Sequence, residues 1–168
     1  MLEASQYASP ERTAEPSAVR RLKRVEYDLL VAAGAFAGEP VELLFGEIVL
    51  MSPQGPLHSW FIHRIRKSLE AAVGSDAEVL LQSPIIGADE SEPEPDIALV
   101  QAAEVRFDRH PEHLDLVVEV SKTTARKDKG PKALLYARSG VTAYWVVDLE
   151  KAHVYLHTDP SADGYGTV

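Results

Sequence analysis

Apolar side chains recur along this chain with two different periods. Between Leu57 and Gly74, Ile62, Ile65, Leu69 and then Ala72 or Val73 keep the spacing of one face of an amphipathic helix. An earlier stretch, "RRLKRVEYDLLVAAG", predicts a shorter helix with Val25, Leu29 and Ala32 or Ala33 facing inward and Gly34 as its stop. "VELLFGEIVLMSP" reads as two short strands joined near Phe45-Gly46. "AEVLLQSPII" and "DIALV" are further strands, separated by the acidic loop "GADESEPEP". "LDLVVEVS" is nearly continuous in its apolar residues, as strands in the centre of a sheet are. "GPKALLYARSG" predicts a helix with Pro131 in its first turn and Gly140 at its end. "AYWVVDLEKAHVYLHT" closes the pattern as a hairpin turning at 149–151, with His153 and His157 on one exposed face.

The order is helix, hairpin, helix, three strands, helix, two strands. Without a strict strand–helix rhythm this predicts an α/β (α+β) domain, a central mixed sheet flanked by helices. Residues 1–20 are polar, contain proline and read as a flexible arm; 21–158 form one folded domain; 159–168 read as a flexible tail. At 168 residues and 45% hydrophobic, the chain can bury a core without staples. It has no cysteine, which excludes disulfides, thiolate metal sites and cysteine nucleophiles. The first residues lack the apolar core of a secretory signal, and no run is long enough to span a bilayer, so a cytoplasmic location without a membrane partner is expected. The net charge of −9 argues against a protein that coats nucleic acid unselectively. No glycine-rich phosphate loop follows a strand.

Glu119 interrupts the apolar run Val117, Val118, Val120. A carboxylate in such a strand needs a donor, a cation or a metal. Asp96 opens the preceding strand directly after Pro95. Neighbouring strands lie about 4.8 Å apart, so two carboxylates on one face near a sheet end can share a divalent ion. Lys132 falls in the first turn of the next helix, where a flexible ammonium can reach a phosphate oxygen or a metal-bound water.

"VELLFGEIVLMSP" with the following His58, "PEPDIALV", "LDLVVEVS", "DKGPKALLYARSGV" and "AYWVVD" together resemble the Uma-type family of restriction endonucleases, in the PD-(D/E)XK nuclease superfamily. The resemblance spans roughly residues 22 to 157. It implies a restriction-endonuclease-like fold, a Mg²⁺-dependent endonuclease acting on DNA (with Mn²⁺ as a substitute), and Asp96 and Glu119 as the metal ligands. The superfamily lysine would fall at position 121, where this chain has Ser121. Lys122 is adjacent, but strand alternation turns it to the opposite face. The resemblance places the lysine on the helix instead, at Lys132.

Other residues join as accessory candidates: Glu42 and Glu47 on the first hairpin, His58 on its helix, Asp128 before Pro131, and Tyr136 one turn after Lys132. Each has a plainer reading, Asp128 as a helix cap and Tyr136 and His58 as core residues. Lys122, Arg126, Lys127, Lys129, Lys132 and Arg138 make a basic stretch suited to a phosphodiester backbone, opposed by the acidic 89–94 loop. Two other classes stay open: a nuclease-fold module that binds nucleic acid without cutting it, and a homodimeric interaction protein in which Glu119 only packs.

Overall fold

The computed structural model describes residues 19–122 and 128–168, and of residues 128 and 129 the backbone only. Most of the N-terminal arm, Arg126 and Lys127, and the side chains of Asp128 and Lys129 therefore lie outside the described residues.

The chain forms α1 (Arg24–Ala32), a hairpin of β1 (Val41–Leu44) and β2 (Glu47–Leu50), α2 (Pro56–Ala72), β3 (Ala77–Leu81), β4 (Ile97–Gln101) and β5 (Leu114–Ser121). A π-helical turn at Asp128–Lys132 leads into α3 (Ala133–Arg138), followed by β6 (Ala143–Asp148), β7 (His153–Ser161) and β8 (Gly164–Thr167). β3 to β8 make one six-stranded sheet in sequence order, and β1–β2 stand apart as a two-stranded sheet. Only β5 and β6 run parallel. A parallel pair needs a crossover, and the segment bearing α3 supplies it.

That crossover explains why β5 is apolar on both sides. Val117 and, across the sheet, Ala98, Val100, Tyr144 and Val146 face α3, where Ala133, Leu135 and Tyr136 complete one core. Leu116, Val118 and Val120 face the other way, with Ile97 and Val147, onto Ile62 of α2; Ile65 and Leu69 pack beside it. The α2 spacing read from the sequence is thus the buried spacing. Phe45 and Gly46 turn the first hairpin with positive φ values of 50° and 77°, the geometry a two-residue turn needs to match strand twist. Gly46 also lies against Arg21 and the backbone of Leu22, so a Cβ there has no room.

Three expectations need correction. The inward face of α1 is set by Tyr27, which is buried, stacks on Phe36 at 5.7 Å and donates a hydrogen bond from its hydroxyl to the Val41 carbonyl. Val25 and Leu29 are exposed, because one aromatic ring with a polar tip fills the space the aliphatic stripe was expected to occupy. The last ten residues are no free tail: they continue β7 and turn back as β8, held by Tyr165 Oη to the Val141 carbonyl (2.9 Å) and by Arg138 Nε to the Ala162 carbonyl (2.8 Å). His157 is buried beneath Tyr144 and Tyr165, with Nδ1 3.1 Å from the Tyr144 carbonyl, whereas His153 is exposed as expected. Among the described residues no helix is long and apolar enough to cross a membrane.

Candidate active site

The antiparallel register pairs Ile97 with Val118, so the next positions outward, Asp96 and Glu119, face one another across the strand pair. Side chains alternate along a strand, so Glu119 shares the α3 face with Val117, while Asp96, just before β4, reaches His58 of α2 with its carboxylate. Both carboxylates line a cleft of about 180 Å³ together with Glu42, Glu94 and Lys132. Val49, Leu50, Met51, Ser52 and Gln54 form its rim on the hairpin side.

Lys132 is the centre of the cluster. Its Nζ lies 2.8 Å from Glu119 Oε1 and 2.9 Å from Glu42 Oε2, and all three residues are buried. Burial alone would push the ammonium's pKa down. The charges of Glu119 and Glu42, and the hydrogen bonds they accept, overcome that and hold it well above the ordinary lysine value. Tyr136, fully buried, donates from its hydroxyl to the same Glu119 oxygen at 2.8 Å. Its own pKa is driven far up by burial first and by the Glu119 charge second, so it serves only as a donor. Lys122, by contrast, is exposed at the end of β5, and Ser121 is buried.

Asp96 is fixed separately. Its Oδ2 accepts the Val120 backbone N–H at 2.7 Å and lies 3.1 Å from His58 Nε2. The hydrogen bond to Asp96 raises the His58 pKa above the usual histidine value, against a smaller opposing effect of burial. Glu94 joins the rim, and its pKa is raised by burial and then by the nearby Glu42 charge.

The accessory candidates separate accordingly. Glu42, His58 and Tyr136 are in contact with the cluster. Glu47 is not: its carboxylate is largely exposed and pairs with Arg21 at 3.0 Å, at the turn end of the hairpin. It lies two positions before Val49, the partner of Glu42, with Ile48 between them. The Asp128 side chain falls outside the described residues. Glu94 was passed over in the sequence, although "EPEPD" places it two positions before Asp96, on the same side of an extended segment. The Val120 amide carries no sequence signal at all.

The family model for Uma2, described as "Putative restriction endonuclease", matches residues 25–168, which include every member of this cluster. The chain belongs to the Uma2 family. Among solved structures it is similar to a protein from Anabaena variabilis ATCC 29413, described as "a putative nuclease belonging to DUF820". The two share 18% sequence identity over 72% of each chain, with a TM-score of 0.59. At that identity the likeness shows the fold. No curated protein matches the chain.

The superfamily to which the Uma2 fold is related implies a divalent ion. Among the described residues no group of three or more His, Asp or Glu side chains is arranged to hold a metal. Two carboxylates are nonetheless the donor set Mg²⁺ commonly takes from protein, since it keeps waters and completes its shell with substrate phosphate. The charges agree with this: Lys132 is one cation among Glu42, Asp96 and Glu119 in the same cleft. Asp96 and Glu119 therefore fit a hard divalent cation as a two-carboxylate pair, and they do not form a closed protein cage.

Proposed function

We propose that this cleft hydrolyses phosphodiester bonds in DNA, with Asp96 and Glu119 as ligands of Mg²⁺ or Mn²⁺. The observation that supports this reading best is the buried Lys132 ammonium, held 2.8 Å from Glu119 in the cleft that Asp96 also lines. A divalent ion bound there would polarise a phosphate and lower the pKa of an attacking water. The protein's own groups have separate tasks. Tyr136 fixes the Glu119 carboxylate, and the Val120 amide with His58 fixes that of Asp96. Lys132, kept protonated by Glu42 and Glu119, presents a positive charge at the cleft to stabilise charge developing on the phosphate.

A second reading has its own observation in its favour. Lys132 already pairs with both Glu119 and Glu42, and the described residues hold no three-ligand cluster. The domain would then bind nucleic acid through a nuclease fold without cutting it. Calorimetric Mn²⁺ titration alongside a plasmid-nicking assay separates the two. Stoichiometric Mn²⁺ binding lost in Asp96→Asn, with nicking lost in parallel, is the expected result. DNA binding with neither metal binding nor nicking would establish the second reading instead.

A further inference from the structure

The outer face of α2 carries a feature that neither the core nor the cleft uses. Leu57, Trp60, Arg64 and Lys67 follow one another at three- and four-residue steps, so they form a strip along one side of the helix. Leu57 and Trp60 are about half exposed, far more than a core-facing helix requires. The indole is held in place: Phe61 meets it edge-on at 5.0 Å and 83°, and the Arg64 guanidinium sits over the ring, 5.7 Å from its centroid.

Glu70, the acidic residue of this helix, is occupied by Arg66 at 2.6 Å. No carboxylate among the described residues lies within ion-pair distance of Arg64 or Lys67. In a chain of net charge −9, the strip pairs an exposed aromatic ring with two uncompensated cations. It also begins at the cleft. Ser52 and Gln54, just before α2, line the cleft, Leu50 on its rim is exposed, and His58 in the first turn of α2 contacts Asp96.

We propose that the Leu57–Trp60–Arg64–Lys67 strip binds a single-stranded segment of nucleic acid leading into the cleft. Trp60 stacks an unpaired base, and Arg64 and Lys67 contact the flanking phosphates. The proposal rests on the cleft acting on nucleic acid, and goes beyond it by naming a substrate with unpaired bases at the α2 side. Stacking on an exposed aromatic needs no particular base, whereas a paired base offers it no free face. A second copy of the chain is the competing occupant of the same exposed residues. The cations disfavour it, because a two-fold contact would gather Arg64 and Lys67 of both copies where neither strip brings a carboxylate to pair them.

The test uses fluorescein-labelled oligothymidylate and a duplex of mixed sequence, with anisotropy read in Ca²⁺, which is chosen to occupy the carboxylates without supporting turnover. Trp145→Phe leaves Trp60 as the one tryptophan, so its emission reports stacking directly. The single strand should bind at least about tenfold tighter than the duplex and quench Trp60. Trp60→Ala should lose about tenfold in affinity, and Trp60→Phe should retain most of it. Arg64→Ala and Lys67→Ala should each flatten the slope of log affinity against log salt by about 0.7. Single-strand binding that is unchanged in Trp60→Ala and Arg64→Ala overturns the strip and leaves the cleft reading intact. Binding lost in Asp96→Asn but not in the strip variants has the same meaning. No binding of either DNA by the wild type overturns both readings. A wild-type dimer by sedimentation that becomes monomeric in Trp60→Ala, with DNA affinity unchanged, assigns the strip to self-association and overturns the proposal.

Discussion

Replacing Lys132 by Met removes a buried ammonium in contact with two buried carboxylates, and its effect can be sized from the geometry. At 2.8 and 2.9 Å, with an effective dielectric of about 20, each attraction is worth about 6 kcal/mol. Desolvating the three ions offsets most of that, so the net worth of the cluster is far below the sum of its attractions. The cost of breaking it is set instead by what the substitution strands. Glu119 would keep the Tyr136 hydroxyl, and Glu42 would keep a contact at 3.4 Å from the Glu94 amide, but neither would retain the ammonium. Breaking a buried pair in this way costs about 3–5 kcal/mol. For a domain of this size that lowers Tm by on the order of 10 °C. Urea melts of wild type and Lys132→Met, at neutral pH with EDTA, measure it. A paired melt in millimolar Mn²⁺ adds a second readout: if the carboxylates bind a divalent ion, Mn²⁺ should stabilise Lys132→Met more than the wild type, because it replaces the missing charge. A loss below about 1 kcal/mol in EDTA would mean that the carboxylates are neutralised by other means, and the argument that Lys132 organises the cluster would fail.

Other outcomes follow from the same contacts. Glu119→Gln leaves Lys132 its Glu42 partner and keeps an oxygen for Tyr136, so apo stability should change by less than about 1.5 kcal/mol; Mn²⁺-dependent stabilisation and plasmid nicking should both disappear, and either surviving intact would remove Glu119 from the site. Tyr136→Phe deletes a buried hydrogen bond to a charged group and should cost about 1.5–3 kcal/mol by denaturant melt, with a normal far-UV spectrum. Glu92 is buried against Asp28, and burial together with that neighbouring charge raises its pKa to about 7. A carboxyl whose pKa is raised on folding gives full stability below its unfolded value of about 4.5 and loses it as pH rises through about 7. Stability should therefore fall by up to about 3 kcal/mol from about pH 5 to about pH 8, and Glu92→Gln should flatten that slope; an equal slope in both proteins would show that the pair shares no proton.

How far the sequence reveals this arrangement depends on the kind of signal each residue leaves. Glu119 is legible because it breaks an apolar run, and a broken pattern demands a partner. α2 is legible because its inward face is aliphatic throughout. α1 is not, because periodicity counts Val25 and Leu29 as apolar without asking what Tyr27 does with its ring and hydroxyl. Glu42 looks like an ordinary alternating position in "VELL", and only the docking of the hairpin against the cleft buries it. Lys132 is legible by its place in the first turn after the Glu119 strand, and the family resemblance adds the role of the lysine missing at Ser121. The end of β7 and the whole of β8 are not legible, because Asp159, Pro160 and Gly164 read as loop residues, although the Asp159 carboxylate accepts from Thr167 at 2.8 Å.

The charged cluster is also a record of how the chain closes on itself. Glu42, Asp96, Glu119 and Lys132 come from four separate segments, and the lysine is last in the chain, within the link between two parallel strands. The first five strands already hold the carboxylates, with His58 on Asp96, before the chain reaches Lys132. The connecting helix places that ammonium and the Tyr136 hydroxyl on the same Glu119 oxygen, so the contacts that meet the carboxylate come from the element that closes this core. A lysine at position 121 would have come with the strand itself and neutralised the carboxylates early. Carrying it on the helix ties the chemistry to completion of the fold, so that a half-assembled domain has the acidic groups of the site without its cation.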